Sequence, residues 1–320
     1  MKIVVTDGNA VNPGDLSWDF LNKYGQVTVY PRTDAESAPE RLRDADIILI
    51  NKTPITAQLL EQCPDLKLIC VLATGYNVVD CEAAKQRGIP VCNVPDYSTN
   101  AVAQFTFALL LELCNAVGHH SGAVQEGAWC RCPDFCFWDT PQLELAGKTM
   151  GIIGFGRIGR AVGRIAKAFG MEVLAYSRSR CPEGEAIGRY VELDTLLRNS
   201  DIVSLHCPLT AQTQGIISRE TLGEMKDGAI LLNTARGPLL DESAVADALR
   251  SGKLRGAGVD VVTCEPILES NPLLHAPNCL ITPHMAWAPL ESRQRIIDCT
   301  VRSIEGFLAG KPVNVVNSIA

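Results

Sequence analysis

The chain has 320 residues, of which 47% are hydrophobic and 20% charged, an ordinary globular composition for a length that suggests about two domains. Its formal net charge of -7 argues against a nucleic-acid or anionic-membrane surface, so any basic groups that matter act locally.

The amino terminus, MKIVVTDG, runs straight into a strand and reaches Asp7, which is unlike a signal peptide. Short apolar runs at 3–6, 27–30, 47–50, 68–72 and 90–93 alternate with polar or helical stretches. That pattern predicts a parallel sheet with helices on both faces. Residues 100–117 read as one long helix. Its most apolar part, 105–113, is interrupted by Thr106 and Glu112 and falls short of the ~20 residues needed to span a bilayer. Residues 118–147 follow as an aperiodic loop containing WCRCPDFCFW, and a long aromatic loop of this kind is more often functional than filler. Phe135, Phe137 and Trp138 are candidates for substrate-side shape selection or for interface packing. Cys130, Cys132 and Cys136 have no second close pair and no His at ligand spacing, so no metal is expected. The 13 cysteines are scattered through predicted strands and helices without a secretory signal, which reads as reduced thiols in a cytoplasmic protein.

The centre of the chain is TMGIIGFGRIG at 149–159. A short apolar run breaks into Gly154-x-Gly156-x-x-Gly159 and continues with apolar residues at helical spacing. Gly154 permits the turn, Gly156 lets the backbone approach a pyrophosphate and Gly159 lets helix and strand pack closely, leaving N–H groups aimed at phosphates. EVLAY at 172–176 completes the βαβ unit, so the expected ligand is a dinucleotide. The residue ending that second strand selects the cofactor, an acid for the ribose 2′-OH of NAD or a base for the 2′-phosphate of NADP. Here the chain reads Ser177-Arg178-Ser179-Arg180. A guanidinium stands where the carboxylate would be, so NADP(H) is expected over NAD(H), which stays open. Arg178 and Arg180 as merely solvated residues is the competing reading.

Further strands are predicted at 201–206, 229–234, 256–262 and 279–282, with a helix at 241–250. A last helix at 291–308 places Ile297, Val301, Ile304 and Leu308 on one face. If it returns to the first domain, that domain is discontinuous, 1–99 with 288–320, and binds substrate, while 100–287 binds the dinucleotide. The fold class is then α/β, two doubly wound parallel-sheet domains with a cleft between them, a Rossmann-type cofactor domain and a flavodoxin-like substrate domain.

Polar groups at the carboxyl ends of parallel strands face the ligand in such sheets. Arg236 in NTARGP, Glu265 in DVVTCEP and His284 in ITPHMAW each follow a predicted strand. Hydride transfer needs a clamp for the substrate and a group that moves the alcohol proton. His284 with a Glu265 partner suits the proton, and the planar fork of Arg236 can bind a carboxylate and polarise the adjacent carbonyl. Singly, each is weak evidence, since a lone Arg after a strand is more often a salt-bridge partner and a lone His more often structural. His206 ends a strand without an obvious partner, and His119, His120 and His275 read as structural or surface residues.

Over essentially its full length the chain resembles the D-isomer-specific 2-hydroxyacid dehydrogenases, through ATGYNVVD at 73–80, GFGRIG at 154–159, LLNTARGPLLDESAVADAL at 231–249, GVDVVTCEP at 258–266 and ITPHMAW at 281–287. YSTNAVAQFTFALLLEL, PDFCFW, HMAW and GKPVNVVN are similar to segments of the glycerate dehydrogenase, or hydroxypyruvate reductase, branch. The resemblance implies that Arg236 orients a 2-oxo acid and His284 donates the proton in its reduction, with Glu265 holding and charging the imidazole. It implies that Ala73, Thr74 and Gly75 bind the substrate carboxylate, with Thr74 also near the cofactor. Arg157 and Ile158 match the pyrophosphate turn, Ser177 the ribose position, and Cys207, Thr234, Ala235 and Asp260 the nicotinamide half. A homodimer is implied, with 100–147 forming much of the contact.

Two departures stand out. Ser177 replaces the usual Asp, and Glu265 lies in CEP where EEP is commoner. The expected reaction is reduction of hydroxypyruvate to D-glycerate, or of glyoxylate to glycolate. Phosphoglycerate dehydrogenase remains an alternative, disfavoured by the lack of a cluster for the extra phosphate and of a regulatory domain after 320. A dinucleotide-sensing corepressor of the same fold is the non-enzymatic alternative.

Overall fold

A computed structural model describes residues 1–318, so the last two positions of the 288–320 segment lie outside the described residues. The chain divides into two compact units. One comprises Met1–Ser98 and the described residues from Ala288 onwards, the other Thr99–Trp287.

In the first unit, β1 (Lys2–Val5), α1 (Gly8–Val11), β2 (Gln26–Val29), α2 (Ala38–Leu42), β3 (Ile47–Ile50), α3 (Ala57–Glu61), β4 (Leu68–Val71), α4 (Cys81–Gln86) and β5 (Val91–Cys92) follow one another. The strands pair in parallel in the order β2-β1-β3-β4-β5. All four residues of β3 and all four of β4 are buried, as both faces of a parallel sheet must be when crossover helices cover them. Capping starts the helices where the sequence changes character. Thr56 accepts from the N–H of Leu59 at α3, and Asp80 from that of Ala83 at α4, each satisfying an orphan donor of a first turn.

The second unit opens with α5 (Thr99–Asn115) and α6 (Val117–Gln125). It continues through β6 (Thr149–Ile153), α7 (Arg157–Ala168), β7 (Glu172–Tyr176), α8 (Pro182–Glu185), β8 (Arg189–Tyr190), α9 (Leu193–Asn199) and β9 (Ile202–Leu205). It ends with α10 (Arg219–Glu224), β10 (Ala229–Asn233), α11 (Glu242–Arg250), β11 (Leu254–Val259) and β12 (Cys279–Ile281). Its seven strands are ordered β12-β11-β10-β9-β6-β7-β8, all parallel. The order reverses between β6 and β9, a doubly wound sheet whose ligands bind outside the carboxyl ends of the strands at that reversal. Alternate residues of each strand feed two cores. Ile152, Ile202, Ile230 and Leu232 pack with Phe107 and Leu110 of α5, while Val203, Leu205, Leu231 and Val259 pack with Val245 and Leu249 of α11. The chain then returns to the first unit in α12 (Leu290–Leu308).

Two predicted elements need correction. The single helix expected over 100–117 stops at Asn115, Ala116 adopts φ 46°, and α6 starts anew at Val117. Part of the expected loop is therefore helical. None of the residues of α6 is buried, so no apolar stripe marked it, and Glu112 at the end of α5 accepts the orphan Gly118 N–H at 3.2 Å. On α12 the buried face is Ser292, Arg293, Ile296, Ile297, Thr300, Ser303 and Ile304, while Leu308 stays exposed. Small polar residues share that face; the Thr300 hydroxyl, for one, satisfies itself on the Ile296 carbonyl at 2.8 Å. Among the described residues no single helix is long and apolar enough to cross a membrane.

His206, the first residue past β9, donates or accepts through Nε2 with the buried Ser204 hydroxyl at 2.8 Å, while its Nδ1 is enclosed without a hydrogen-bond partner. Some surface of the residue remains accessible, but the ring is enclosed, and burial pushes its pKa down to about 3. A histidine held neutral in the folded state stabilises the fold above its unfolded pKa near 6.5, and that contribution is lost as pH falls toward the folded value. Stability should therefore drop between pH 7 and 4.5 by about 2–3 kcal/mol on account of this one ring. Urea unfolding at a series of pH values checks it: His206→Gln should remove that part of the slope, and an unchanged slope would assign the acid sensitivity elsewhere.

Candidate active site

The glycine turn sits between β6 and α7 in the second unit, at the reversal of strand order. Gly154 has φ +94°, and a Cβ there would run into the backbone of His206 and Cys207 at the end of β9. Only glycine permits that approach. A Cβ on Gly156, in contrast, would meet no protein atom within 4 Å. The turn is thus closed toward the sheet and open on the other side, at the start of a 12-residue helix whose first N–H groups carry positive partial charge. This is the form a dinucleotide pyrophosphate requires. Arg157 opens α7 on its exposed side, whereas the partly buried Ile158 side chain packs against the core.

At the end of β7, Ser177 is half-buried and Arg178 exposed. The Arg180 guanidinium lies over the Tyr190 ring, 5.7 Å from its centroid, and so is already engaged. Behind this loop, Glu183 of α8 pairs with both Arg160 and Arg164 of α7.

At the end of β10, Asn233 is fully buried and shapes the next turn. Its Oδ1 accepts the Ala235 N–H at 3.0 Å and its Nδ2 donates to the Arg236 carbonyl at 2.9 Å. Arg236 is held at the rim with an exposed side chain. Thr234 turns its hydroxyl inward to Thr106 of α5 at 3.1 Å. Cys207 is buried with its thiol pushed up by burial, a packing residue of the reversal and not a reactive one.

His284 and Glu265 come together from turns after different strands. Glu265 Oε2 lies 2.7 Å from His284 Nδ1, and its Oε1 accepts the Val262 N–H at 3.4 Å. The carboxylate can only accept, so Nδ1 carries the proton. His284 sits at φ 52°, a left-handed conformation uncommon for a side chain of this kind. Asp260 holds it there. Its carboxylate, 1% exposed, accepts the Thr282 hydroxyl at 2.6 Å and the N–H groups of Met285 and Ala286 at 2.9 and 2.8 Å, while its own carbonyl takes the His284 N–H at 2.8 Å. Trp287 closes the loop with its indole N–H on the His284 carbonyl at 2.9 Å. Burial outweighs these bonds and the nearby His284, pushing the Asp260 carboxyl up. Sequence reasoning placed Asp260 beside the nicotinamide and missed this holding role; a lone Asp inside an apolar run, GVDVV, was the available signal.

In the first unit the 73–75 loop follows β4. The Thr74 hydroxyl donates to the Val94 carbonyl at 2.8 Å, and Asn93 Nδ2 donates to the Thr74 carbonyl at 2.8 Å. Ala73 is partly buried against the core, Thr74 is exposed and Gly75 is half-buried. Of the residues read as structural, His119 and His120 share Asp139, at 2.7 and 3.2 Å. Among the described residues no three His, Cys, Asp or Glu side chains are grouped as metal ligands.

Residues 107–286 match the sequence profile of the D-isomer specific 2-hydroxyacid dehydrogenase NAD binding domain. Over 99% of its length the chain is 56% identical to a hydroxypyruvate reductase of Blautia hydrogenotrophica, all of which is covered. It is 42% identical to a glycerate dehydrogenase of Methylorubrum extorquens over 99% of both chains. The structure of an Aquifex aeolicus D-lactate dehydrogenase with NAD and lactic acid superposes with a TM-score of 0.83 at 30% identity, covering 99% of this chain and 100% of that one. A full-length likeness of this order, joined to a glycine turn at the strand reversal and a buried carboxylate holding a histidine beside Glu265, shows that the chain belongs to the D-isomer specific 2-hydroxyacid dehydrogenases, oxidoreductases that use a nicotinamide dinucleotide.

Proposed function

We propose that the protein reduces a small 2-oxo acid to the D-2-hydroxy acid, hydroxypyruvate to D-glycerate and glyoxylate to glycolate, with NADPH preferred to NADH. The 56% identity to a hydroxypyruvate reductase along the whole chain carries the choice of substrate. The 2.7 Å contact of His284 with Glu265 supports the choice of proton donor.

Gly154, Gly156, Arg157, Ile158 and Gly159 would hold the pyrophosphate, Ser177 and Arg178 the adenosine ribose, and Cys207, Thr234, Ala235 and Asp260 the nicotinamide half, together with Thr74. When bound, the dinucleotide supplies the hydride. Ala73, Thr74 and Gly75 bind the substrate carboxylate through their backbone. Arg236, whose guanidinium has the planar fork for the job, spans carboxylate and carbonyl oxygen and stabilises negative charge as it develops on that oxygen. His284 delivers a proton from Nε2 to the same oxygen, and Glu265 on Nδ1 fixes the tautomer and balances the imidazolium charge. Asp260 keeps the ring in place.

Arg178 carries the cofactor preference. With Arg180 stacked on Tyr190 and no carboxylate at Ser177, it is the side chain left to meet a 2′-phosphate. The segment from Val117 to Trp138 exposes Val117, Trp129, Phe135 and Trp138, an apolar display best covered by a second copy of the chain in a homodimer. Thirteen free thiols fit a reducing compartment, the cytoplasm.

Steady-state kinetics with hydroxypyruvate, glyoxylate and phosphohydroxypyruvate, each with both cofactors, tests the reaction. Hydroxypyruvate with NADPH should give the highest kcat/KM; preference for the phosphorylated acid would make the enzyme a phosphoglycerate dehydrogenase, and cofactor binding without turnover would favour a sensor. His284→Ala should lower kcat by about 10²–10⁴, and an unchanged kcat would take the proton from His284. Arg178→Ala should raise KM for NADPH about 10–100-fold, the loss of a charge-assisted contact, with little effect on NADH. Equal effects on the two cofactors would end the phosphate argument. Light scattering should give twice the chain mass, falling toward the monomer in a Phe135→Asp, Trp138→Asp double variant.

A further inference from the structure

The strand order of the first unit, β2-β1-β3-β4-β5, reverses between β1 and β3, and ligands of open α/β sheets bind outside the carboxyl ends of strands at such a reversal. Here the protein's own carboxylate occupies the place. Asp7, two residues beyond β1 and 8% exposed, accepts on Oδ2 the backbone N–H groups of Asn51, Lys52 and Thr53 at 2.9, 2.9 and 3.0 Å. The Thr53 hydroxyl lies 2.8 Å from Oδ1 and the Thr6 hydroxyl 3.0 Å from Oδ2. Three successive N–H groups converging on one oxygen form a nest of the kind that binds substrate anions elsewhere. Filled from within, it cannot do so, and it fixes the turn after β3 to the end of β1.

That turn in turn grips the next. Asn51 is buried, and its Nδ2 donates to the Leu72 carbonyl at 3.0 Å, immediately before Ala73. On the far side the Val94 N–H donates to the Ala73 carbonyl at 3.0 Å, and Asn93 and Val94 bond Thr74. The 72–75 backbone is thus clamped from the β3 side by the Asn51 amide and by the Leu72 N–H, which donates to the Ile50 carbonyl at 2.7 Å, and from the β5 side by three bonds. We infer that Asp7 and Asn51 are positioning residues for the oxo acid: Asp7 sets the turn, Asn51 transmits its position, and the 73–75 loop keeps its N–H groups aimed at the substrate carboxylate. The inference rests on the reading that this loop takes that carboxylate, and neither residue touches substrate.

The test uses the full-length enzyme with Asn51→Ala, which removes one amide and leaves the Asp7 nest intact, and with Asp7→Asn, which puts an N–H₂ group where acceptors are needed. Both should raise KM for hydroxypyruvate and for glyoxylate about ten-fold, the worth of one supporting hydrogen bond. KM for the dinucleotide should stay within about two-fold and kcat within about three-fold, and binding of oxamate to the enzyme with reduced dinucleotide should weaken in parallel. A merely structural role would lower the unfolding temperature without this split. An unchanged oxo-acid KM in folded Asn51→Ala overturns the inference even if Asp7→Asn fails to fold, as does an equal rise in the dinucleotide KM. A wild-type enzyme that reduces no 2-oxo acid would instead overturn the reading beneath it.

Discussion

The geometry of the His284 turn depends on one buried carboxylate. Asp260 leaves β11 pointing into the protein and spends its oxygens on Thr282, Met285 and Ala286, while its carbonyl takes the His284 N–H. A non-glycine residue at φ 52° persists only where its surroundings over-determine it. Four hydrogen bonds from one residue, with Trp287 bonded to the His284 carbonyl, supply that surplus. The ring is delivered to Glu265 by the backbone on which it stands, and Glu265 then only has to orient it.

The first unit solves a related problem with Asp7, and the two carboxyls move in opposite directions. For Asp7 burial raises the pKa, but the N–H groups of Asn51, Thr53 and Lys52 with the Thr53 hydroxyl outweigh it, and the group is held below the usual carboxylate range. Asp260 has one backbone donor fewer and lies deeper, so burial wins and its carboxyl moves up. Each donor directed at a carboxylate favours the charged form by an amount comparable to a modest desolvation cost. Both groups fix a turn after a parallel strand, and both do it with donors from the main chain and hydroxyls, which are short and cannot swing away.

Much of this architecture was legible in the sequence. Runs such as Ile47–Ile50 and Leu68–Val71 are buried on both faces, so they were continuous and easily read as parallel strands, and Gly154 and Gly159 meet steric demands that no other residue satisfies, with Gly156 open between them. Arg236, Glu265 and His284 stood out because strand ends are recognisable and their side chains are chemically conspicuous, and of these Glu265 and His284 come together. What escaped depended on contacts over long separations. The bond between Asp7 and the 51–53 turn spans 44 to 46 residues, and nothing local announces it. Helix α6 escaped for the opposite reason: with no buried face it has no periodicity to read, and its break from α5 occurs at Ala116, a residue that favours helix.

The choice of donors around the two buried acids also bears on how an anionic substrate can be held. An Asp paired with Lys or Arg would draw a cation out of the site and lock it by an ion pair costly to break. Because Asp7 and Asp260 accept from N–H and hydroxyl groups alone, no guanidinium is spent on them. Among the described residues the Arg236 guanidinium bonds to the Ala235 carbonyl of its own turn, and its charge is not neutralised there. In a chain whose formal net charge is -7, a small carboxylate substrate gains nothing from the overall field, and attraction has to come from a local cation with its fork still free. Neutral donors around the acids are what leave that fork available.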